Sequence, residues 1–261
     1  MFHQRERFER TDVPRESPYS TFIGIGVIVV VFAVLAIVVN VVWGRVQTET
    51  RLGDLKLSEV ISDQASLSIP DGYTTTSDDL TRVLFLTVSD ISKADSPSTL
   101  KSAQVLVINN TQGTATLANI PTNVKIVVNE VGASLSDYCA QAGAMACVQP
   151  LSKAAGLKFT HVVVSTEDVI AQVAALKDSD KSTLVKEATE LLGKMRTDFK
   201  AEEIIGFAQK LSNIGLENCT RFDAVTTAET ATAEDGTVSE TGYVVIDKVQ
   251  MGTAVGLLVA A

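Results

Sequence analysis

Residues 22–43, "FIGIGVIVVVFAVLAIVVNVVW", contain no charge and a single amide, Asn40. At about 1.5 Å per residue such a segment is long enough to cross a hydrocarbon core of about 30 Å. No small-residue cleavage pattern follows it; Trp43, Gly44 and Arg45 come next, so the segment reads as a retained anchor rather than a removed signal. The chain also lacks a surplus of basic charge. It carries 22 Lys and Arg against 31 Asp and Glu, a net −9. The four arginines ahead of the anchor are matched by Glu6, Glu9, Asp12 and Glu16, so the acidity belongs to the part beyond it. That balance, with no helix-turn-helix pattern and no zinc-ligand spacing, excludes nucleic acid as the expected partner and disfavours anionic lipid. There is no C-x-x-C pair, which removes the simplest redox and metal motifs. No nucleophile is visible beside His161, which reads as a strand residue rather than a catalytic base.

Orientation follows from arginine and lysine near the anchor. Arg5, Arg7, Arg10 and Arg15 precede it; Arg45, Arg51 and Lys56 follow it. The bias puts the N-terminal tail in the cytoplasm and the larger C-terminal part outside the cell membrane, with Trp43 at the outer interface. The expected divisions are 1–21 cytoplasmic tail, 22–43 transmembrane helix, 44–80 stalk and linker, and 81–261 an extracytoplasmic domain.

The exported part alternates strands and helices. "RVLFLTV" from Arg82 is almost unbroken in its apolar character, the mark of a strand buried on both faces. "AQVLVIN" and "TATLANI" flank a turn at 110–113 and predict a hairpin, and "VKIVVN" predicts a further strand. The "DYCAQAGAMACVQP" and "VQPLSKAAG" stretches read as short helices, and "HVVVS" from His161 as a second buried strand. "STEDVIAQVAAL" predicts a helix capped by Ser165 or Thr166, and "STLVKEATELLGKM" and "AEEIIGFAQKL" predict two more. "AVTTAETATAEDGTVSETG" has little to bury and reads as a mobile loop; "YVVID" reads as a late strand and "MGTAVGLLVAA" as a terminal helix. The fold class expected is α/β: an N-terminal transmembrane helix followed by a layered α/β/α extracytoplasmic domain around a mixed central sheet.

Of the three cysteines, Cys139 and Cys147 stand eight apart and Cys219 stands alone. They fit two readings, small buried thiols on a helix or a disulfide in an oxidising compartment; export favours a Cys139–Cys147 disulfide with Cys219 left free.

From Thr81 to Lys177 the order of "RVLFLTVSD", "AQVLVINNTQGTATLANIP", "SDYCAQAGA" and "GLKFTHVVVSTEDVIAQV" resembles the LytR-CpsA-Psr family of cell-envelope proteins, and "LLGKMRTDFKAEEIIGFAQKL" onward is similar to that family's terminal helices. The resemblance implies one anchor and an extracytoplasmic domain that moves a glycopolymer from a polyprenyl diphosphate carrier to peptidoglycan, a phosphotransferase reaction aided by magnesium. Such a site needs arginines to hold a diphosphate in bidentate fashion and carboxylates to hold the cation.

The sequence departs from the family at those positions. The family's Arg-Asp after Ile-Pro is replaced by Thr122 and Asn123. Asp90 matches the Asp that closes the first strand, but Ser92 stands where the family has Arg. The family's Arg-Ser-Asp triplet falls on Thr99, Leu100 and Lys101, which puts a base where a metal ligand belongs. Only Lys177, Lys181 and Lys186 occupy the interval of the family's later arginines. The degenerate positions Thr122, Asn123, Lys101 and Ser92 therefore imply a scaffold that has lost its reaction, with no catalytic residue, metal or cofactor expected. Asp90, Lys93, Lys101, Asn123 and Lys125 remain as residual ligand-cleft residues.

The function expected is a membrane-anchored, non-catalytic binding or scaffolding module of envelope assembly. Its partners would be peptidoglycan, a lipid-linked glycopolymer or another envelope protein. The alternative is a divergent transferase that substitutes Lys93, Lys101, Lys125 and Lys158 for arginine and uses magnesium; lysine lacks the planar fork and suits that chemistry less well.

Overall fold

The computed structural model describes residues 52–92, 95–175, 190–215 and 218–261. The expected tail and anchor, and Lys93, Lys177, Lys181 and Lys186, lie outside the described residues. Among the described residues no helix is long and apolar enough to cross a membrane.

The chain forms a mixed α/β domain around a mixed sheet of six strands. Its centre is β2 (Leu80–Val88), preceded by a short β1 (Tyr73–Thr75) outside the sheet. β2 pairs antiparallel with β3 (Leu100–Asn109), which turns through 110–113 into β4 (Thr114–Ile120), as the hairpin pattern predicts. β5 (Lys125–Val128) is a strand, as expected, but it leaves the main sheet and pairs with β6 (Val131–Ser134). β7 (His161–Ser165) lies parallel to β2 on its other side, and β8 (Met195–Thr197) closes that edge antiparallel to β7. β9 (Thr220–Asp223) closes the opposite edge parallel to β4.

Every residue of β2 from Val83 to Val88 is buried. The reason is helices on both faces. On one face Leu84, Leu86, Val105 and Val162 pack against α1 (Leu55–Ser62), α2 (Leu135–Ala142) and α3 (Ala144–Ala155) through Leu57, Cys139, Leu151 and their neighbours. On the other, Val83, Phe85, Leu106 and Val163 pack against Ile170 of α4 (Val169–Ala175) and Ile204 and Leu211 of α5 (Ala201–Ile214). Each such side chain contributes about 1.5–3 kcal/mol when fully buried.

Several elements differ from expectation. The segment expected as stalk and linker belongs to the domain from Leu52 on: α1 is capped by Asp54 and its Leu57 is completely buried. Its polar composition misled because only one face touches the core. α4 takes its cap from Asp168, whose Oδ1 accepts from Ala171 N at 2.9 Å, not from Ser165 or Thr166; Ser165 is spent closing β7. The helix expected through Met195 stops at Gly193, and Met195 opens β8.

The expected mobile loop at 224–242 is largely a β-hairpin, β10 (Thr226–Thr232) against β11 (Val238–Ile246), with a register shift between Ala228 and Thr230. Alternating threonines and an Asp235–Gly236 turn build it from ladder hydrogen bonds with little burial. The terminal helix is shorter than expected. α6 (Lys248–Ala254) ends before Gly256, at φ +72°, and β12 (Leu258–Ala260) returns to pair with β1.

Cys139 and Cys147 face each other across the junction of α2 and α3 as fully buried free thiols, so the expected disulfide is not formed. The Cys147 sulfur donates to Gly143 O at 3.5 Å, and its hydrogen bond to Cys139, reinforced by burial, pushes its thiol pKa well up. At the junction, Gly143 has φ +84°, and a Cβ there would meet the Ser96 carbonyl oxygen at 2.6 Å.

If α1 is part of the core, Leu57→Ala should cost about 2–5 kcal/mol in urea unfolding, as for buried leucines generally. A change under about 0.5 kcal/mol, the size expected at an unburied site, would return α1 to the stalk.

Candidate functional site

The family-matching positions gather where β2, β4 and β7 end and β3 begins, because hydrogen-bonded strands in one sheet bring these termini to one edge. Asp90 follows β2, and both its carboxylate oxygens are engaged by one residue: Ser92 N donates to Oδ1 at 2.9 Å and Ser92 Oγ to Oδ2 at 2.8 Å. Ser98 Oγ braces the same turn by accepting from Asp90 N at 3.0 Å and donating to Asp90 O at 3.1 Å. The backbone bond from Ser92, then its hydroxyl, holds the Asp90 carboxyl below its ordinary range.

Among the described residues, the cations here bond to the protein's own groups as well. Lys101 Nζ donates to Thr166 O at 3.2 Å. Lys125 forms an ion pair with Glu229 of β10, whose other oxygen accepts from Thr241 Oγ1 at 3.0 Å. Asn123 Nδ2 donates to Gly242 O at 3.1 Å, while Thr122 O accepts from Ser136 N at 2.9 Å. These two positions therefore tie the β10–β11 hairpin and α2 to the sheet. Lys158 is not at this edge: it precedes β7 and lines a cavity at the other end of the sheet.

The edge's dominant cation is one that sequence reasoning missed. Arg196 on β8 donates from Nε to Ile91 O at 2.7 Å and from Nη2 to Ser92 O at 2.6 Å, and its Nη1 lies 3.3 Å from Asp54 Oδ2. One planar fork thus joins the Asp90 loop, β8 and the start of α1. Lys194 pairs with Glu167 at 2.8 Å beside it. The signal was the "MRTD" tetrapeptide, hidden by assigning Met195 to a helix.

His161 lies at the opposite end of β7. Its Nδ1 is 2.8 Å from Asp198 Oδ2, Asp198 Oδ1 accepts from Val162 N at 2.7 Å, and the ring stacks on Phe199 at 3.7 Å. The pair anchors the loop after β8 to β7, and among the described residues no nucleophile is bonded to it.

Among the described residues, this edge offers few ligands for a magnesium diphosphate. Asp90 has both oxygens turned to Ser92, Lys101 stands where a second carboxylate is needed, and among the described residues no three His, Cys, Asp or Glu side chains gather. A hard cation requires several oxygen ligands at once.

No protein-family model matches the chain, and no curated protein matches it. Among solved structures it is similar to the transcriptional regulator yvhJ from Bacillus subtilis, at 12% identity and TM-score 0.47 over 69% of this chain and 95% of that one. It is similar to TagV from B. subtilis at 11% identity and TM-score 0.48, over 69% of this chain and 96% of that one. It is also similar to TagT, solved bound to LI-WTA, at 10% identity and TM-score 0.45, over 74% of this chain and all (100%) of that one. Scores and identities of this size establish neither family nor activity.

The Asp90 turn gives a direct pH test. A depressed carboxyl stabilises the fold above its unfolded pKa, and that contribution is lost as pH falls through the lower folded value. In Ser92→Ala the hydroxyl bond is gone and the backbone bond remains, so the Asp90 carboxyl should titrate at higher pH than in the parent by side-chain carbon NMR. An unchanged midpoint would mean that the turn does not hold the carboxylate.

Proposed function

We propose that this chain is a single-pass membrane protein whose extracytoplasmic α/β domain serves envelope assembly as a binding or scaffolding module and does not transfer a glycopolymer. The supporting observation is the commitment of the polar groups at the family-matching edge. Asp90 is closed by Ser92, Lys101 by Thr166, Lys125 by Glu229, and Arg196 by Ile91, Ser92 and Asp54. A diphosphate entering there competes with these bonds, and a charge-assisted bond contributes about 1.5–3 kcal/mol. The residues that hold a phosphate clamp elsewhere here hold the loops and the β10–β11 hairpin together.

On this reading the partner is peptidoglycan, a lipid-linked glycopolymer or another envelope protein, met on the outer side of the membrane. The anchor and its direction come from the uncharged 22–43 segment and its flanking arginines.

The test is calorimetry of the full chain in nanodiscs with geranyl diphosphate, with and without magnesium, alongside a transfer assay on peptidoglycan. No metal-dependent heat and no transferred polymer are expected. Micromolar, magnesium-dependent binding together with turnover would replace this reading with the divergent transferase.

A further inference from the structure

The end of the sheet away from the family-matching edge holds a cavity of about 380 Å³. Its walls are the segment between α1 and β1, the start of β2, the turn between α3 and β7, and the residues around α6 and β12. Three cations line it, Arg82, Lys158 and Lys248, and no carboxylate does. On a chain of net charge −9 such a grouping is informative. The rest of the lining is mainly apolar, led by Leu67, Ile69 and Leu258.

The cavity is braced by the fold. Gln64, just ahead of its first wall, donates to Phe159 O at 2.8 Å and accepts from Phe159 N at 2.8 Å. Thr76 N donates to Leu257 O at 2.9 Å across the second pair of walls. Gly156, at φ +67°, leaves room for the Lys248 stem, which a Cβ there would meet at 3.1 Å.

Arg82 is the unusual group. It stands on the strand face that otherwise presents Leu84 and Leu86 to the core. Its Nε is buried and has no hydrogen-bond partner, which is costly for a charged donor. Burial lowers its pKa, and the charge of Asp79 only partly opposes this. Asp79 is itself occupied, accepting from Asn110 Nδ2 at 3.0 Å. The ion pairs found among the described residues involve other cations. Ile69, at the lining, remains 49% exposed.

From these features we infer a second site, separate from the family-matching edge, that binds an amphiphilic organic anion. Its carboxylate or phosphate head sits among Arg82, Lys158 and Lys248, and its apolar body lies against Leu67, Ile69 and Leu258. An anion supplies the acceptor that Arg82 Nε lacks, and the apolar body covers the exposed Ile69. The volume lies in the lower part of the range for small-molecule sites, about 300–1,000 Å³, so the ligand is compact. This inference is independent of whether the other edge is catalytic.

The experiment uses the full chain in nanodiscs of zwitterionic lipid, photolabelled with octanoate carrying a terminal diazirine and mapped by peptide mass spectrometry. Label is expected within 66–70 and 257–258. Excess octanoate or octyl phosphate should compete it away, the better competitor identifying the head group, whereas octanol or inorganic phosphate at equal concentration should not. Arg82→Gln should reduce labelling about tenfold or more, the loss expected for one charge-assisted bond. Because Arg82 is half-buried, Lys248→Gln, at an exposed residue, provides a second variant in which folding is not at stake, and it should also reduce labelling. Equal competition by octanol would reduce the site to an apolar crevice and overturn the inference. So would competition by inorganic phosphate matching octanoate, or labelling unchanged in both variants.

Discussion

β2 has no face open to water. From Val83 to Val88 its side chains are buried alternately against the α1–α3 layer and the α4–α5 layer, and the paired strands β3 and β7 take up its backbone groups. A strand so placed can offer chemistry only at its ends, where polar residues reach solvent without breaking the core. The two ends have been used differently. At the C-terminal end, Asp90, Ser92 and Arg196 are bound to one another's chain segments; at the N-terminal end, the half-buried Arg82 has an unsatisfied Nε beside two lysines.

At the first end the polar groups bond the protein's own loops. A carboxylate accepts from a neighbouring serine and a guanidinium holds two carbonyls, so both brace the loops at this end. The same economy reaches the β10–β11 hairpin. With few buried side chains of its own, the hairpin is held by its ladder, by Lys125–Glu229 and by Asn123 bonding to Gly242. After Ile120 and Pro121, Thr122 bonds to α2 and Asn123 fastens the hairpin.

Much of the sheet was legible in the sequence because burial on both faces writes itself as continuous apolar runs, and the β3–β4 turn carries Asn and Gly at the expected places. Elements stabilised by other means were not. The β10–β11 hairpin is threonine-rich and exposed, so a reading based on burial missed it, although Asp235–Gly236 signalled the turn. α1 fully buries only Leu57, β12 buries only Leu258, and β12 is held by its pairing with β1. At the candidate edge, Thr122, Asn123 and Lys101 stood out in the sequence as departures from the resembled family, but what they bond to was not readable. Arg196 meets Ile91 and Ser92 more than a hundred residues away, a contact that no local pattern encodes.

The central claim is that, among the described residues, the cationic groups of this edge bond to the protein itself. The most direct measurement is the Arg196 side-chain Nε–H resonance in nitrogen-labelled full-length protein, followed as pyrophosphate and magnesium are added. Held by Ile91, it should be protected from solvent exchange in the free protein and keep its shift throughout the addition. Saturable movement of that resonance, requiring magnesium, would show that the fork opens to a diphosphate and would contradict the account.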